Sequence, residues 1–236
     1  GVVAALQRRG HTVLPARLSI AGDVPIGAGL SSSASFAVCV ALALSHISRI
    51  PISPADVALV AQEAENTFLG TQCGIMDQTA SARANRGSAL LVDCRSLEAM
   101  PIPVAKDLSV VIIDSGVRRE LASSAFNTRR EECEAAARHL GVAALRDVDR
   151  PTLEAAREGF DPILFKRARH VVSEIGRVEP MAVALAHGDT AALARVMEAG
   201  HASLRDDYEV TVPEVAALVA LVRGVLAQGG APLGGV

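Results

Sequence analysis

Pro25-Ile26-Gly27-Ala28-Gly29-Leu30-Ser31-Ser32-Ser33-Ala34-Ser35 is a run of small residues that opens straight into the apolar stretch Phe36 to Leu44. Its chemistry is that of an anion cradle. Gly27 and Gly29 carry no side chain to keep backbone N–H groups from an anion, and glycine takes positive φ in a tight turn. The serine hydroxyls can donate to phosphate oxygens or ligate a hard cation such as Mg²⁺. The helix they open adds unpaired N–H groups and the positive end of its dipole. A plain strand-to-helix turn with an ordinary serine cap fits the same residues.

Two acids stand out downstream. Glu65 falls three residues before Phe68 and four after Ala61, at the edge of the apolar stripe Val57, Val60, Ala61, Ala64 and Phe68. A half-inward carboxylate is paired with a cation, ligates one, or is a solvated helix-end acid. Asp77 lies in Gly70-Thr71-Gln72-Cys73-Gly74-Ile75-Met76-Asp77-Gln78 among apolar and small neighbours. Enclosed by Cys73, Ile75 and Met76, it could be a general base or charge anchor, or an acid favoured by a helix N-terminus.

Elements must hold these groups. The pattern predicts a helix from Val2 to Arg9 ended by Gly10, and a strand within Thr12 to Ala21 that delivers the glycine loop. Ser53-Pro54-Ala55-Asp56 starts a helix running to about Phe68, with Ser53 as cap and Pro54 in its first turn. Ala89 to Cys94 and Ser109 to Asp114 read as strands apolar enough to be central in a covered sheet, with Pro101, Pro103, Lys106 and Asp107 in the connection. From Ser123 on the chain reads as helical. Arg129, Arg130, Glu131, Glu132 and Glu134 mark a solvated face ending near Leu140-Gly141. Further helices are expected at Thr152 to Glu158, Pro162 to Glu174, Pro180 to His187, Thr190 to Ala199 and Pro213 to Gln228. A domain division is expected near Asp114 to Leu121.

The composition narrows the function classes. With 236 residues and 50% hydrophobic content the chain can bury a core. A net charge of -3, the lack of a basic block and 3% aromatic residues argue against nucleic-acid binding. No apolar run approaches the roughly 20 residues that cross a bilayer, so a cytoplasmic protein without membrane contact is expected. Cys39, Cys73, Cys94 and Cys133 are spaced as reduced thiols, mostly core fillers, rather than as a zinc site or disulfide framework. His139, His170, His187 and His201 are expected on helix surfaces or ends. The first residue, Gly1, falls inside a helical pattern, so the chain is expected to be a piece of a longer protein.

Taken together, Pro25 to Ser35, Glu65, Cys73-Gly74-Ile75-Met76-Asp77-Gln78 and Asp93-Cys94-Arg95-Ser96-Leu97-Glu98 resemble the galactokinases of the GHMP small-molecule kinase superfamily. The resemblance continues through Leu121-Ala122-Ser123-Ser124, Arg129 to Cys133, His170-Val171-Val172 and His201 to Tyr208, and so covers nearly the whole chain. It implies an α/β (α+β) two-domain GHMP fold: a ribosomal-protein-domain-like N-terminal part and a helix-rich α+β C-terminal part, truncated at both ends. Residues 1–117 would be the later part of the ATP-binding domain and 118–236 an incomplete C-terminal domain.

The resemblance also implies phosphoryl transfer from Mg·ATP to the anomeric hydroxyl of galactose. Gly27, Gly29, Ser31 and Ser32 would hold the ATP phosphates, Ser33 and Glu65 would ligate Mg²⁺, and Gly74, Asp77 and Phe126 would contact the sugar, with Asp77 accepting the hydroxyl proton. A carboxylate is a weak base for a sugar hydroxyl until the reaction acidifies that hydroxyl, so Asp77 acts late or mainly as an anchor. No G-x-x-x-x-G-K-[ST] occurs, so this is not a P-loop enzyme. The chain departs from the family where its N-terminal sugar-gripping motif would stand, and in the glycine-rich tail Gly229 to Val236, a partial match. Phe126 replaces a tyrosine, keeping the ring without the hydroxyl, and Arg119 and Ile175 also differ. A kinase for N-acetylgalactosamine or arabinose, a non-catalytic sugar- and ATP-binding relative and an inactive fragment are the rival readings. Galactose and ATP are the expected partners and the complete protein is expected to be a monomer.

Overall fold

The computed structural model describes residues 1–117 and 122–229, without the side chains of residues 122–126 and 226–229. The chain forms two compact units, the first built mainly from Gly1–Ile102 and the second from Pro103–Ser115 with the helices that follow. Among the described residues no helix is long and apolar enough to cross a membrane.

In the first unit, helix α1 (Val2–Arg8) ends at Arg9 and turns at Gly10, whose φ is 83°. Helix α2 is Ser32–Ile47 and α3 is Pro54–Ala64. The start of α3 follows from its residues: Ser53 Oγ accepts from the Asp56 N–H at 3.1 Å and donates to the Asp56 carboxylate at 2.6 Å, and Pro54 gives up an N–H that a first turn leaves unpaired. One π-helical turn, Glu65–Leu69, extends α3, and α4 follows at Met76–Arg83. Val2, Ala5 and Leu6 bury against Val57, Val60 and Ala61 of α3 and Ala37, Val38, Ala41 and Leu44 of α2. The fully buried Leu6 contributes about 1.5–3 kcal/mol by its burial.

The described sheet has two strands, β1 (Ser88–Val92) and β2 (Ala99–Pro103). Their turn is the Asp93 to Glu98 motif. Asp93 Oδ1 accepts from the N–H groups of Arg95 and Ser96 at 2.7 and 3.1 Å, and the Asp93 N–H donates to the Glu98 carbonyl at 2.9 Å. Strand β1 answers the expected strand at Ala89 to Cys94. β2 was read as a connection because of its prolines; the ladder accommodates them because a strand in a two-stranded sheet has one unpaired edge.

Two expected strands are not formed. Thr12 to Ala21 and Ser109 to Asp114 run without regular structure, and Leu14, Leu18, Ile20 and Val110 to Ile113 are exposed. Alternation and β-branching make a strand only where a neighbour supplies the ladder, and none does so among the described residues. Leu14 is tied instead by its N–H to Ser48 Oγ at 3.0 Å.

The second unit holds α5 (Ala122–His139), a 3₁₀ turn at Leu145–Asp147, α6 (Arg150–Ala155), α7 (Pro162–His187), α8 (Thr190–Asp206) and α9 (Pro213–Gly229). Leu145, Leu153, Phe160, Phe165, Ala168 and Val172 form its core. The helices expected at Pro162 to Glu174 and Pro180 to His187 are one helix, α7, with Pro180 inside it.

Of the expected solvated face of α5, Arg130, Glu131 and Glu134 are exposed, whereas Arg129 and Glu132 turn into an ion network. Arg167, 2% exposed, donates to Glu132 at 2.6 Å, to Glu209 at 2.9 Å and to the Asp207 carbonyl. Burial opposes its charge, and the two carboxylates outweigh that and raise its pKa. Arg129 donates to the Tyr208 carbonyl at 2.7 Å. His170, expected on a helix surface, is buried, with Nδ1 at 2.9 Å from Ser203 Oγ and its ring stacked 4.3 Å from Tyr208. It lies one turn after the buried Arg167 on α7, on the side that meets Ser203 and Tyr208. Cys39 and Cys94, expected as core fillers, are exposed.

Candidate active site

Gly27 and Gly29 take φ of 76° and 77° in the turn before α2, conformations that a side chain would strain. Ser31 follows as the N-cap at φ 54° and ψ 36°, left-handed at a cost of about 1–2 kcal/mol for a residue with a Cβ. Helix α2 starts without a side-chain cap. Helices α3, α6, α7 and α8 are each capped by a Ser or Asp side chain, whereas α1, α2 and α4 are not. A helix of 16 residues thus begins with its first N–H groups left for an outside acceptor, beside the half-buried Ser31 and Ser32 and the exposed Ser33.

Glu65 begins the π-turn and is buried to 7% exposure. Widening the turn adds a residue to the backbone cycle, so the chain beyond Glu65 lags the α-helical phase. Phe68, expected on the apolar face, is consequently 66% exposed. Glu65 Oε2 accepts from Gln78 Nε2 and from the Cys73 thiol at 3.5 Å. Glu65 Oε1 is buried with no hydrogen-bond partner. A buried carboxylate oxygen without a protein donor is costly, and a bound cation is one group that would satisfy it.

The loop behind Glu65 is pinned by amides. Asn66 Oδ1 accepts from the Cys73 N–H at 3.1 Å, and Gln62 Nε2 donates to the Cys73 carbonyl at 3.1 Å. Burial, then the neighbouring Glu65 charge, push the Cys73 thiol up, so it serves as a neutral donor. Gly70 closes the π-turn at φ 69°.

Asp77 is half-buried in the first turn of α4, and among the described residues its carboxylate makes no hydrogen bond or ion pair. Its expected enclosure is only partial: Ile75 is buried, whereas Met76 is 60% exposed. Gly74 is exposed, and a Cβ there would meet no atom within 4 Å. Helices α2, α3 and α4 pack on one another, and α2 also touches the π-turn. The first unit therefore gathers the glycine-serine turn, Glu65, Gly74 and Asp77 on one helical frame. The Phe126 side chain, Arg119 and the tail beyond Gly229 lie outside the described residues.

Gln78 escaped the sequence reading. Ile75, Gln78, Thr79 and Ala82 form the inward stripe of α4, and a glutamine at a core position of such a stripe is the signal that was there to find.

The donors fit a hard divalent cation. Carboxylate and hydroxyl oxygens suit Mg²⁺, which takes few protein ligands and completes its shell with phosphates and water. Among the described residues no group of three or more His, Cys, Asp or Glu side chains could hold a metal ion. A surface groove lined by Glu179, Pro180, Val183 and His187 lies elsewhere, in the second unit, and contains none of these groups.

Residues 1–85 match the family model described as GHMP kinases N terminal domain. The crystal structure of Lactococcus lactis galactokinase complexed with galactose superposes on the chain with a TM-score of 0.87 at 28% sequence identity. The match covers all of this chain and 61% of that galactokinase.

Proposed function

From the premise of a GHMP kinase superfamily member with the galactokinase fold, we propose a sugar kinase that transfers the γ-phosphoryl group of Mg·ATP to the anomeric hydroxyl of galactose. The products are galactose 1-phosphate and ADP. The observation that carries this reading is Glu65, buried with one carboxylate oxygen unpartnered, on a turn packed against the helix that the glycine-serine loop opens.

In this reading Gly27, Gly29, Ser31 and Ser32 receive the ATP phosphates through the N–H groups at the start of α2 and the serine hydroxyls. Ser33 and Glu65 hold Mg²⁺, which when bound neutralises charge on the phosphates. Gly74 borders the sugar, where a Cβ would meet no atom within 4 Å, and Phe126 is the expected second contact to it. Asp77 accepts a hydrogen bond from the anomeric hydroxyl and fixes its oxygen in line with the γ-phosphorus. As that oxygen bonds to phosphorus, the bond to the ADP oxygen breaks, and the hydroxyl proton passes to the Asp77 carboxylate. Residues 1–117 belong to the ATP-binding domain and residues 118–236 to the C-terminal domain of a cytoplasmic monomer whose partners are these two small molecules.

The test uses the polypeptide of the complete gene, with sugar 1-phosphate and ADP measured for galactose, N-acetylgalactosamine and arabinose. Galactose turns over fastest, and Asp77→Asn lowers kcat by about 10²–10⁴-fold while the melting temperature holds. Preference for another of these sugars would reassign the substrate. Binding of ATP and galactose without turnover would identify a non-catalytic relative.

A further inference from the structure

Gln78 is 1% exposed and among the largest fully buried side chains of the chain. The rest of its stripe, Ile75, Thr79 and Ala82, is apolar or small, so packing alone would be served by leucine or methionine. The amide makes one strong contact: Nε2 donates to Glu65 Oε2, with Cys73 Sγ at 3.5 Å. Its own Oε1 is buried without a partner, as is Oε1 of Glu65. One hydrogen-bonded pair therefore holds two orphaned acceptors, each unfavourable to bury.

The chemistry of the partner is informative. A Lys or Arg at position 78 would neutralise Glu65 and compete with any cation for it. An ionised acid could not donate to it at all. A glutamine donates to one oxygen while adding no charge, so the full negative charge of Glu65 remains for the other.

We propose that Gln78 is a positioning residue that occupies Oε2 of Glu65 and so reserves Oε1 for a divalent cation. This rests on reading Glu65 as a cation ligand. The amides of Asn66 and Gln62, bonded to the Cys73 backbone, fix the loop between the two residues. Gln78 directly follows Asp77 on α4. The same short helix thus presents the sugar-facing carboxylate and, about 100° further round, the group that orients the metal ligand.

The experiment measures how much Mn²⁺ strengthens the binding of a non-hydrolysable ATP analogue by the complete polypeptide, comparing calorimetric Kd values with Mn²⁺ and with a chelator. Gln78→Leu is expected to reduce that gain by about 10-fold or more, the usual effect of losing an outer-shell partner, with metal-free binding unchanged. Glu65→Gln reduces it as well, and adding Gln78→Leu to Glu65→Gln changes nothing further. A gain lost in Glu65→Gln but kept in Gln78→Leu overturns the positioning role and leaves Glu65 a ligand. A gain kept in Glu65→Gln overturns the ligand reading and this proposal together. Additive losses in the double variant also overturn it, because Gln78 then acts apart from Glu65. Should the leucine variant fail to fold, Gln78→Met, unbranched and close to glutamine in shape, reads the same quantity.

Discussion

His170 is held in its neutral form. Burial, the largest effect, lowers its pKa from the ordinary 6.5, and the Glu174 and Asp207 charges oppose that shift while Arg177 and Arg167 add to it. The unfolded chain binds a proton near pH 6.5 that the folded chain refuses. Stability is therefore fully present above that pH and falls as pH drops toward the lower folded value. Urea midpoints taken from about pH 7.5 to about pH 5 should decline for the parent protein and flatten in His170→Asn, which keeps a polar atom for Ser203. Glu209 works in a separate window. Lys166 and Arg167 hold it at about 2, so its contribution is present above its ordinary 4.5 and is lost below that in both proteins. An undiminished slope in His170→Asn would place the proton elsewhere. Residue identities showed this histidine without its surroundings, because its burial depends on Tyr208 and Ser203, more than 30 positions away. Glu65 was more legible: its spacing from Ala61 placed it at the inward edge, although nothing local announced that Gln78 would meet it.

Elements were most readable where residue chemistry is local. Ser53 with Pro54 marks the start of α3 to the residue, and Gly10 and Gly141, at φ 83° and 69°, mark helix ends by a conformation few other residues tolerate. The π-turn was not readable, because an α-turn with the same residues satisfies every local preference and packing decides between them. Pro180 misled in the opposite direction. Its ring removes an N–H and crowds the carbonyl four residues earlier, which reads as a break, but packing carries α7 through it over 26 residues. Restoring that hydrogen bond in Pro180→Ala should therefore raise unfolding stability by about 1–3 kcal/mol, less than the full cost of an interior proline because the helix has adapted to the ring. Denaturant melts of the two proteins measure it directly. A lower stability in Pro180→Ala would show that the ring's own packing outweighs the missing bond.

At the scale of the molecule, the helical cores were legible from periodicity, whereas the sheet was not, since pairing is a property of two segments and each strand reads alone. Ser109-Val110-Val111-Ile112-Ile113-Asp114 is the sharpest case. Its composition is that of a central strand, but Val110 is 81% and Val111 78% exposed. Val110 to Ile113, β-prone, without proline and outside the described ladder, offer apolar side chains to any other chain. For the 236-residue polypeptide the physical consequence is self-association through this run. Placing lysines on alternate positions, Val110→Lys with Ile112→Lys, charges one face of the run and opposes pairing by like-charge repulsion. Light scattering of the 236-residue chain across a concentration series should then fall several-fold, while its melting changes by no more than about 0.5 kcal/mol, because exposed side chains contribute little to the core. Scattering that persists in the double variant would move the sticky surface to Leu14, Leu18 and Ile20, the other exposed extended segment. A loss of stability instead would mean that Val110 and Ile112 are packed in solution.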